Sequence, residues 1–244
     1  MEFLNTLYIQ TQGSYIHIHN KNLRVEQNNQ TVIQFPIYNL DGIVVFGNVL
    51  ISPFVISNLI DNGKFIAWFS QSGRFIARTQ GMTSGNVLLR KSQYDAYNNE
   101  DQKIRLAKKF VIGKIKNSRS VILRGLREYK DTNNSSVNSF LKESVKSLDL
   151  LIKEIQHDAF DIDIVRGLEG KAATIYFSTF NYLIRNNDKF RWQGRSRRPP
   201  RDPLNSLLSF MYSLLINECV SACEGVGLDP QIGFLHELRP GDRL

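Results

Sequence analysis

The sequence predicts an α+β protein in which a β-sandwich-like domain, residues 1–90, precedes an all-α domain, residues 91–244. Over the first part, short runs rich in Val, Ile and Tyr are divided by Gly, Asn or Pro, as strands are. After about residue 92 the hydrophobic period changes from two to 3.6, the period of a helix. With 244 residues, 42% of them hydrophobic, the chain can fill one large core or two small ones.

The predicted strands follow one another closely, and a single short helix interrupts them. The helix covers residues 52–63, with Ser52 as N-cap, Pro53 at the first helical position and Gly63 past its end. Residues 64–78 then return as a strand, a turn and a strand. The six strands before the helix read LYIQT, SYIHIH, LRVEQ, TVIQFP, GIVVFG and NVLIS.

Four helices are predicted in the second domain. The first has an apolar stripe surrounded by basic residues, the second covers residues 135–156, and the third surrounds Glu169. The fourth begins at Pro203, behind an Asp202 cap, with Gly225 just past its end. The stripe of the first helix consists of Ile104, Ala107, Val111, Ile115, Ile122 and Leu126.

The net charge of +8 is concentrated in two blocks that contain no acid. Residues 102–127 carry nine Lys or Arg, and residues 189–201 carry six. Such blocks suit a polyanion, most simply nucleic acid. The alternative, a solvated helix face followed by a disordered loop, stays open on the charges alone. The predicted phosphate contacts are Arg191, Arg195, Arg197, Arg198, Arg201, Lys108 and Lys109.

The N-terminus has no basic flank before an apolar run, so no signal peptide is expected. The longest apolar stretch, residues 207–216, is about half of what a membrane span needs. The sequence therefore predicts a cytoplasmic protein without a membrane partner. Cys219 and Cys223 lie four residues apart on the fourth helix and are expected to be buried free thiols.

Glu169 is flanked by Gly167 and Gly170 and followed by Ala172 and Ala173, in the segment RGLEGKAA. Glycine inside a helix costs about 1 kcal/mol relative to alanine, so two of them indicate a packing or access reason. Small residues would let a backbone, a metal or a phosphate approach the carboxylate. Close packing of two helices, with Glu169 at the rim, explains the glycines equally well.

Two further polar features follow in the chain. Asn205, Ser209 and Tyr212 form a stripe that suits a partly buried, hydrogen-bonding wall, opposite an apolar side of Leu207, Leu208, Met211, Leu214 and Leu215. His236 stands in the apolar segment IGFLHELRPG. Taken alone, that histidine is better explained as a packing residue than as a ligand.

Together these segments resemble the CRISPR-associated (Cas) protein one family, in its type I branch. GLEGKAA, RPPRDPLNSLLSFMYSLL and GFLHELRPG occur in the family's order behind a β domain, and the resemblance covers the whole chain. It implies that Glu169 and His236 bind Mn²⁺ or Mg²⁺ and that Tyr212 and Asn205 line the same catalytic site. It also implies a third, acidic ligand beyond Leu244, because Asp242 comes too early, and hence a helical domain that is incomplete at its C-terminal end.

The family activity implied is that of a metal-dependent DNA endonuclease and integrase, which inserts new spacers into a CRISPR array by phosphodiester transesterification. The resemblance further implies a homodimer formed through the β domain. Two such dimers would flank a dimer of CRISPR-associated protein two and hold double-stranded DNA, as prespacer and CRISPR repeat. A non-catalytic, basic DNA- or RNA-binding protein is the alternative that the charges support.

Overall fold

The computed structural model describes residues 5–79, 81, 87–129, 134–184, 189–197 and 199–237. The chain divides into two compact units: Met1–Val87 with Ser209–Pro230, and Leu88–Leu208 with Gln231–Leu244. Strands fill the N-terminal part and helices follow, which confirms the predicted fold class. The last helix contributes to both units, whereas the sequence placed all of residues 91–244 in one domain.

The first unit contains two four-stranded sheets whose inner faces share one core. Their strand orders are β1-β5-β7-β8 and β4-β3-β2-β6. Ile9 and Ile43 of one sheet and Ile16 and Leu23 of the other are buried in the same cluster, so the predicted β-sandwich is confirmed. The strands are β1 Thr6–Ile9, β2 Ser14–His19, β3 Asn22–Gln27, β4 Gln30–Pro36, β5 Gly42–Phe46, β6 Val49–Ile51, β7 Phe65–Phe69 and β8 Phe75–Arg78.

The helix of the first unit, α1, spans Pro53–Asp61 and begins as predicted. The Ser52 side chain accepts a hydrogen bond from the Val55 backbone N–H at 3.4 Å, and Pro53 fills the first helical position. Val55 and Leu59 are fully buried against the sandwich core. Cap and apolar spacing together fix where this helix starts and which side faces the sheet.

The second unit is built around three long helices. α3 (Glu100–Glu128), α4 (Ser135–His157) and α5 (Ile162–Ser178) share one apolar core, and Ala107, Val111, Ile115 and Ile122 of the predicted stripe are buried in it. The prediction of these helices is therefore confirmed. The sequence missed the shorter helices α2 (Val87–Asn98) and α6 (Phe180–Leu183), and α7 spans Pro203–Gly225.

Within the first unit, α7 packs through one residue of the predicted apolar side and through one residue that lies outside it. Phe210 and Leu214 lie against a buried cluster containing Phe46 and Phe69, with the Phe46 and Phe210 rings 5.8 Å apart. Three residues of the predicted apolar side are instead largely exposed, namely Leu207 (47%), Met211 (53%) and Leu215 (55%). The prediction that these three residues lie on the packed side of the helix is therefore wrong. Helix α7 is apolar on more than one face, so the sequence alone does not decide which face packs.

By length and composition α7 would suffice to cross a membrane, and it is alone in this among the described helices. The sequence analysis considered only the apolar stretch of residues 207–216, whereas the helix that contains it spans Pro203–Gly225. One such helix is weak support for a span, since core helices of soluble proteins meet the same criterion.

The two cysteines of α7 differ in exposure. Cys219 is exposed, which corrects the expectation that both thiols are buried, and Cys223 is half-buried. Burial, followed by the neighbouring Cys219 and Glu224, raises the pKa of the Cys223 thiol. Both thiols are free, as expected.

Glu218 of α7 is the basis of a stability prediction for the first unit. Its partial burial, and then the charge of Asp41, raise its pKa above 4.5. The folded state therefore holds this proton more firmly than the unfolded chain does, so stability falls as the pH rises from about 4.5 through the raised folded-state pKa. Glu218→Gln should raise the melting temperature at pH 7 and have a smaller effect at pH 4.

The control for this variant is Glu224→Gln on the same helix. Glu224 forms an ion pair with Arg78 of β8, and Arg78 also donates to Ser221 at 3.4 Å. Removing that acid should lower the melting temperature at pH 7. A Glu218→Gln protein with the same or a lower melting temperature than the wild type at pH 7 would contradict the prediction.

Candidate functional site

Glu169 lies at the edge of the buried face of α5. The helix begins at Asp161, whose side chain accepts from the Asp163 backbone N–H at 2.5 Å. Val165 and Leu168 point into the core of the second unit. The side chain of the adjoining Glu169 is 20% exposed to solvent. The apolar period of α5 therefore holds the carboxylate at the boundary between core and solvent.

The glycines beside Glu169 face open space. Apart from the adjoining residues and the backbone of α5 itself, no described atom lies within 4 Å of the position that a Cβ would take at Gly167 or at Gly170. Of the two explanations for these glycines, the described structure favours access to the carboxylate over close helix packing. Ala172 differs from the expectation, since it is buried in the helical core and does not clear the surface.

His236 is exposed, in an irregular segment that is fixed against the helix bearing Glu169. Arg166, one turn before Glu169, donates through Nε to the Leu235 carbonyl at 2.7 Å and lies 3.8 Å from the Glu237 carboxylate. Leu235 packs against the helical core. The structure thus holds the segment that contains His236 against the part of α5 that contains Glu169.

Lys114 of α3 supplies the cation nearest to the Glu169 carboxylate among the described residues. Its Nζ donates to Glu169 Oε1 in an ion pair. The Lys114 side chain is 58% exposed, so its charge reaches solvent while the carboxylate is largely covered. The Glu169 carboxylate therefore already has a positively charged partner in the absence of a metal ion.

Glu169 and His236 offer a carboxylate and an imidazole, a donor pair that suits Mn²⁺ and, through the carboxylate, Mg²⁺. Within the described ranges, no three His, Cys, Asp or Glu side chains come together as a metal site. Mg²⁺ commonly keeps several waters and takes one or two carboxylates with substrate phosphates. Glu169 and His236 are of the types that such a partly open site would use. Asp242, the only acid that follows Glu237 in the chain, lies outside the described residues.

Asn205 is fully buried, and its side chain holds the arginine-rich loop in place. Its Oδ1 accepts from Arg195 Nη1 at 2.8 Å and from the Ser196 N–H at 3.1 Å. Its Nδ2 donates to the Gly194 carbonyl at 2.8 Å and to Asp202 Oδ2 at 2.6 Å. That last bond is the main cause of the lowered Asp202 pKa. These contacts are those of a loop anchor.

Tyr212 lies in the first unit, on the part of α7 that begins at Ser209, with 41% of its surface exposed. Glu169, Asn205 and His236 belong to the second unit. The predicted stripe of Asn205 and Tyr212 is therefore not a uniform wall, because one residue is buried and the other is exposed. A catalytic role for either residue stays a prediction.

The predicted DNA contacts differ in how free they are to meet a phosphate. Arg191, Arg197 and Arg201 are exposed, whereas the half-buried Arg195 is bonded to Asn205. Arg198 lies outside the described residues. On α3, Lys109 is exposed, and Lys108 is half-buried with Nζ 5.7 Å from the centre of the Phe160 ring.

Sequence reasoning did not single out Arg166 or Lys114. Arg166 could have been found, since it lies three residues before Glu169 and so on a neighbouring part of the helix surface. Lys114 is separated from Glu169 by 55 positions. Its contact with Glu169 depends on how α3 packs on α5. Nothing in the sequence distinguishes Lys114 from the other eight basic residues of its block.

Comparison with known proteins identifies the family. A family model described as "CRISPR associated protein Cas1" matches residues 7–243. The chain belongs to the Cas1 family. The resemblance drawn from GLEGKAA, RPPRDPLNSLLSFMYSLL and GFLHELRPG is thereby confirmed.

Curated relatives match nearly the whole chain. The protein of Chlorobaculum tepidum named "CRISPR-associated endonuclease Cas1 1" is 41% identical over 239 residues, which make up 98% of this chain and 68% of that relative. A Moorella thermoacetica protein of the same name is 39% identical over 239 residues, with the same two coverages. The chain thus spans about two thirds of the length of these Cas1 relatives.

Solved structures share the Cas1 fold. "Structure of TM1797, a CAS1 protein from Thermotoga maritima" matches with a TM-score of 0.68 at 24% identity, covering 96% of this chain and 69% of that one. "Casposase bound to integration product" gives 0.71 at 23% identity, covering 98% and 66%. A chain of "Cas6-RT-Cas1--Cas2 complex" gives 0.71 at 21% identity, covering 97% and 25%.

Proposed function

We propose that this Cas1 chain belongs to a metal-dependent DNA endonuclease and integrase that inserts new spacers into a CRISPR array. The relatives named as endonucleases support the nuclease class. The observation that carries the proposal is the placement of Glu169 on a glycine-flanked, open surface of α5, with the His236 segment tied to the same helix by Arg166.

The reaction proposed is in-line transfer at a DNA phosphodiester, by a DNA 3′-hydroxyl in integration or by water in cleavage. Mn²⁺ or Mg²⁺, held by Glu169 and His236 when bound, would polarise the phosphate and stabilise the attacking and leaving oxygens. The open surface at Gly167 and Gly170 leaves room for a DNA backbone. Exposed arginines of the loop and lysines of α3 would hold phosphates and position the duplex without reading bases.

The partners proposed are double-stranded DNA, a second copy of this chain and Cas2. One structural neighbour is a Cas1–Cas2 assembly, and another is a casposase bound to an integration product. By family resemblance, dimers form through the β domain, and two of them flank a Cas2 dimer. A prokaryotic cytoplasmic location goes with this role.

An assay of DNA cleavage beside DNA binding, each with Mn²⁺ and with EDTA, tests the proposed activity. The integrase proposal requires cleavage or integration that EDTA abolishes. Binding that is equal under both conditions, without any metal-dependent product from the whole protein and Cas2, would instead support a non-catalytic nucleic-acid-binding protein.

The arginine loop supplies a prediction about the salt dependence of DNA binding. Changing Arg191, Arg197 and Arg201 together to Ala should weaken binding and flatten the log–log salt slope by roughly 0.9 for each phosphate that is no longer neutralised, or by about 2 to 3 in all. These three are chosen because they are exposed, whereas Arg195 is engaged with Asn205. The measurement is duplex affinity across a series of salt concentrations.

The control removes the same charge from α4. Lys142, Lys146 and Lys153 are exposed on that helix, and their triple Ala variant also removes three positive charges. It should change the slope much less. Equal slopes for the two triple variants would show that net charge, and no specific loop contact, determines DNA binding.

A further inference from the structure

We propose that Lys114 is an exchangeable counter-ion: it pairs with Glu169 in the metal-free protein, is displaced by the divalent metal, and then contacts a phosphate of the bound DNA. The inference rests on the proposed function, since it assumes that Glu169 is a metal ligand. It assigns to Lys114 a positioning role that couples metal binding to DNA binding.

The first argument is the ion pair itself. Lys114 Nζ donates to Glu169 Oε1, one of the two oxygens through which the carboxylate could bind a metal. A metal ion and an ammonium group repel each other and compete for the same oxygen lone pairs. Binding of the metal at Glu169 therefore has to weaken or break the pair.

The second argument is the difference in exposure between the partners. The Glu169 side chain is 20% exposed, and that of Lys114 is 58% exposed. A largely covered carboxylate needs a cation, which explains why the pair forms. A lysine is a compact charge on a flexible stem, so the exposed Lys114 can leave its partner by rotating its own side chain while α3 stays in place.

The third argument is where the released ammonium group would find a new partner. Lys109 and Lys116 are exposed on α3, in the block of nine basic residues without an acid. Other cations of this helix are already engaged, since Arg119 pairs with Asp149 and Arg124 pairs with Glu128. A DNA phosphate drawn to this helix offers Lys114 an oxygen anion in place of Glu169.

Mn²⁺ affinity provides the first test, measured by the electron paramagnetic resonance signal of the free ion. Lys114→Met should bind Mn²⁺ about two- to fivefold more tightly than the wild type, the range expected on removal of a competing, partly exposed ion pair. Lys116→Met is the matched control, because it removes the same charge two positions away and no described ion pair involves Lys116. Glu169→Gln should abolish the binding.

The four proteins separate failure of the inference from failure of the proposed metal site. Equal Mn²⁺ affinity in Lys114→Met and Lys116→Met, with no binding by Glu169→Gln, would overturn the exchange and leave the metal site standing. Weaker binding by Lys114→Met than by the wild type would also overturn it. Wild-type affinity in Glu169→Gln would overturn both proposals.

The second test is the salt dependence of duplex binding, measured with Mn²⁺ and with EDTA. With EDTA, Lys114→Met should have the wild-type slope, because Lys114 is then occupied by Glu169. With Mn²⁺, the slope of the variant should be lower than that of the wild type by roughly 0.9, the value of one phosphate contact. The same difference under both conditions would show that Lys114 does not exchange partners.

Discussion

Glu169→Gln and His236→Ala, each made in the whole protein, are expected to reduce DNA cleavage and integration by about three orders of magnitude or more, because each removes a proposed metal ligand and with it several kcal/mol of charge stabilisation in the transition state. Neither change should unfold the protein. Glutamine keeps the size and shape of the Glu169 side chain, which is 20% exposed, and His236 is exposed. The measurement is product formation at saturating Mn²⁺, beside the melting temperature of each variant.

Glu143→Gln and His157→Ala on α4 are the matched controls. Both residues are exposed in the same compact unit, and each control removes the same type of side chain as its test variant. They should retain wild-type rates. Wild-type activity in Glu169→Gln or in His236→Ala would exclude that residue as a ligand, even if the other variant were inactive.

Asn205→Leu is expected to lower the free energy of unfolding of the second unit by about 2 to 4 kcal/mol, since it leaves several partly buried polar groups without their partner. The groups concerned are the Arg195 guanidinium, the Ser196 N–H and the Gly194 carbonyl. Leucine has the same branching as asparagine but no polar atom to offer them. Urea unfolding followed by circular dichroism measures the change.

Ser206→Ala is the control for Asn205→Leu. Ser206 is the next residue of α7, is exposed, and bonds through its hydroxyl only to the Asp202 carbonyl, at 3.0 Å, within the described contacts. Its removal should cost about 0.5 kcal/mol or less. If the two variants were equally stable, the Asn205 contacts would contribute little, and a role for Asn205 in the chemistry would gain support.

The parts of the fold that depend on local pattern could be predicted from the sequence. The Val- and Ile-rich runs became the two sheets, and Ser52 with Pro53 marked the start of α1 correctly. The glycines around Glu169 indicated an accessible carboxylate, which the open space there supports. In each case a short segment contains the whole signal.

Features that depend on tertiary packing could not be predicted. The side of α7 that meets the sheet is set by where Phe46 and Phe69 lie, and nothing within the helix sequence specifies that. Asn205 resembles a binding residue in sequence because hydrogen-bonding capacity looks the same whether the partner is a ligand or a loop. The Lys114–Glu169 pair requires two helices distant in sequence to pack together.

The membership of α7 in both units has a consequence for the order in which the chain folds as it is synthesised. The first unit needs residues Ser209–Pro230 as well as Met1–Val87, because Phe210 and Leu214 cover the aromatic cluster of β5 and β7. Domains usually fold one after another from the N-terminus as they leave the ribosome. Here the two residues that cover the aromatic cluster are translated only after almost all of the helical unit, so the cluster lacks this cover throughout that interval.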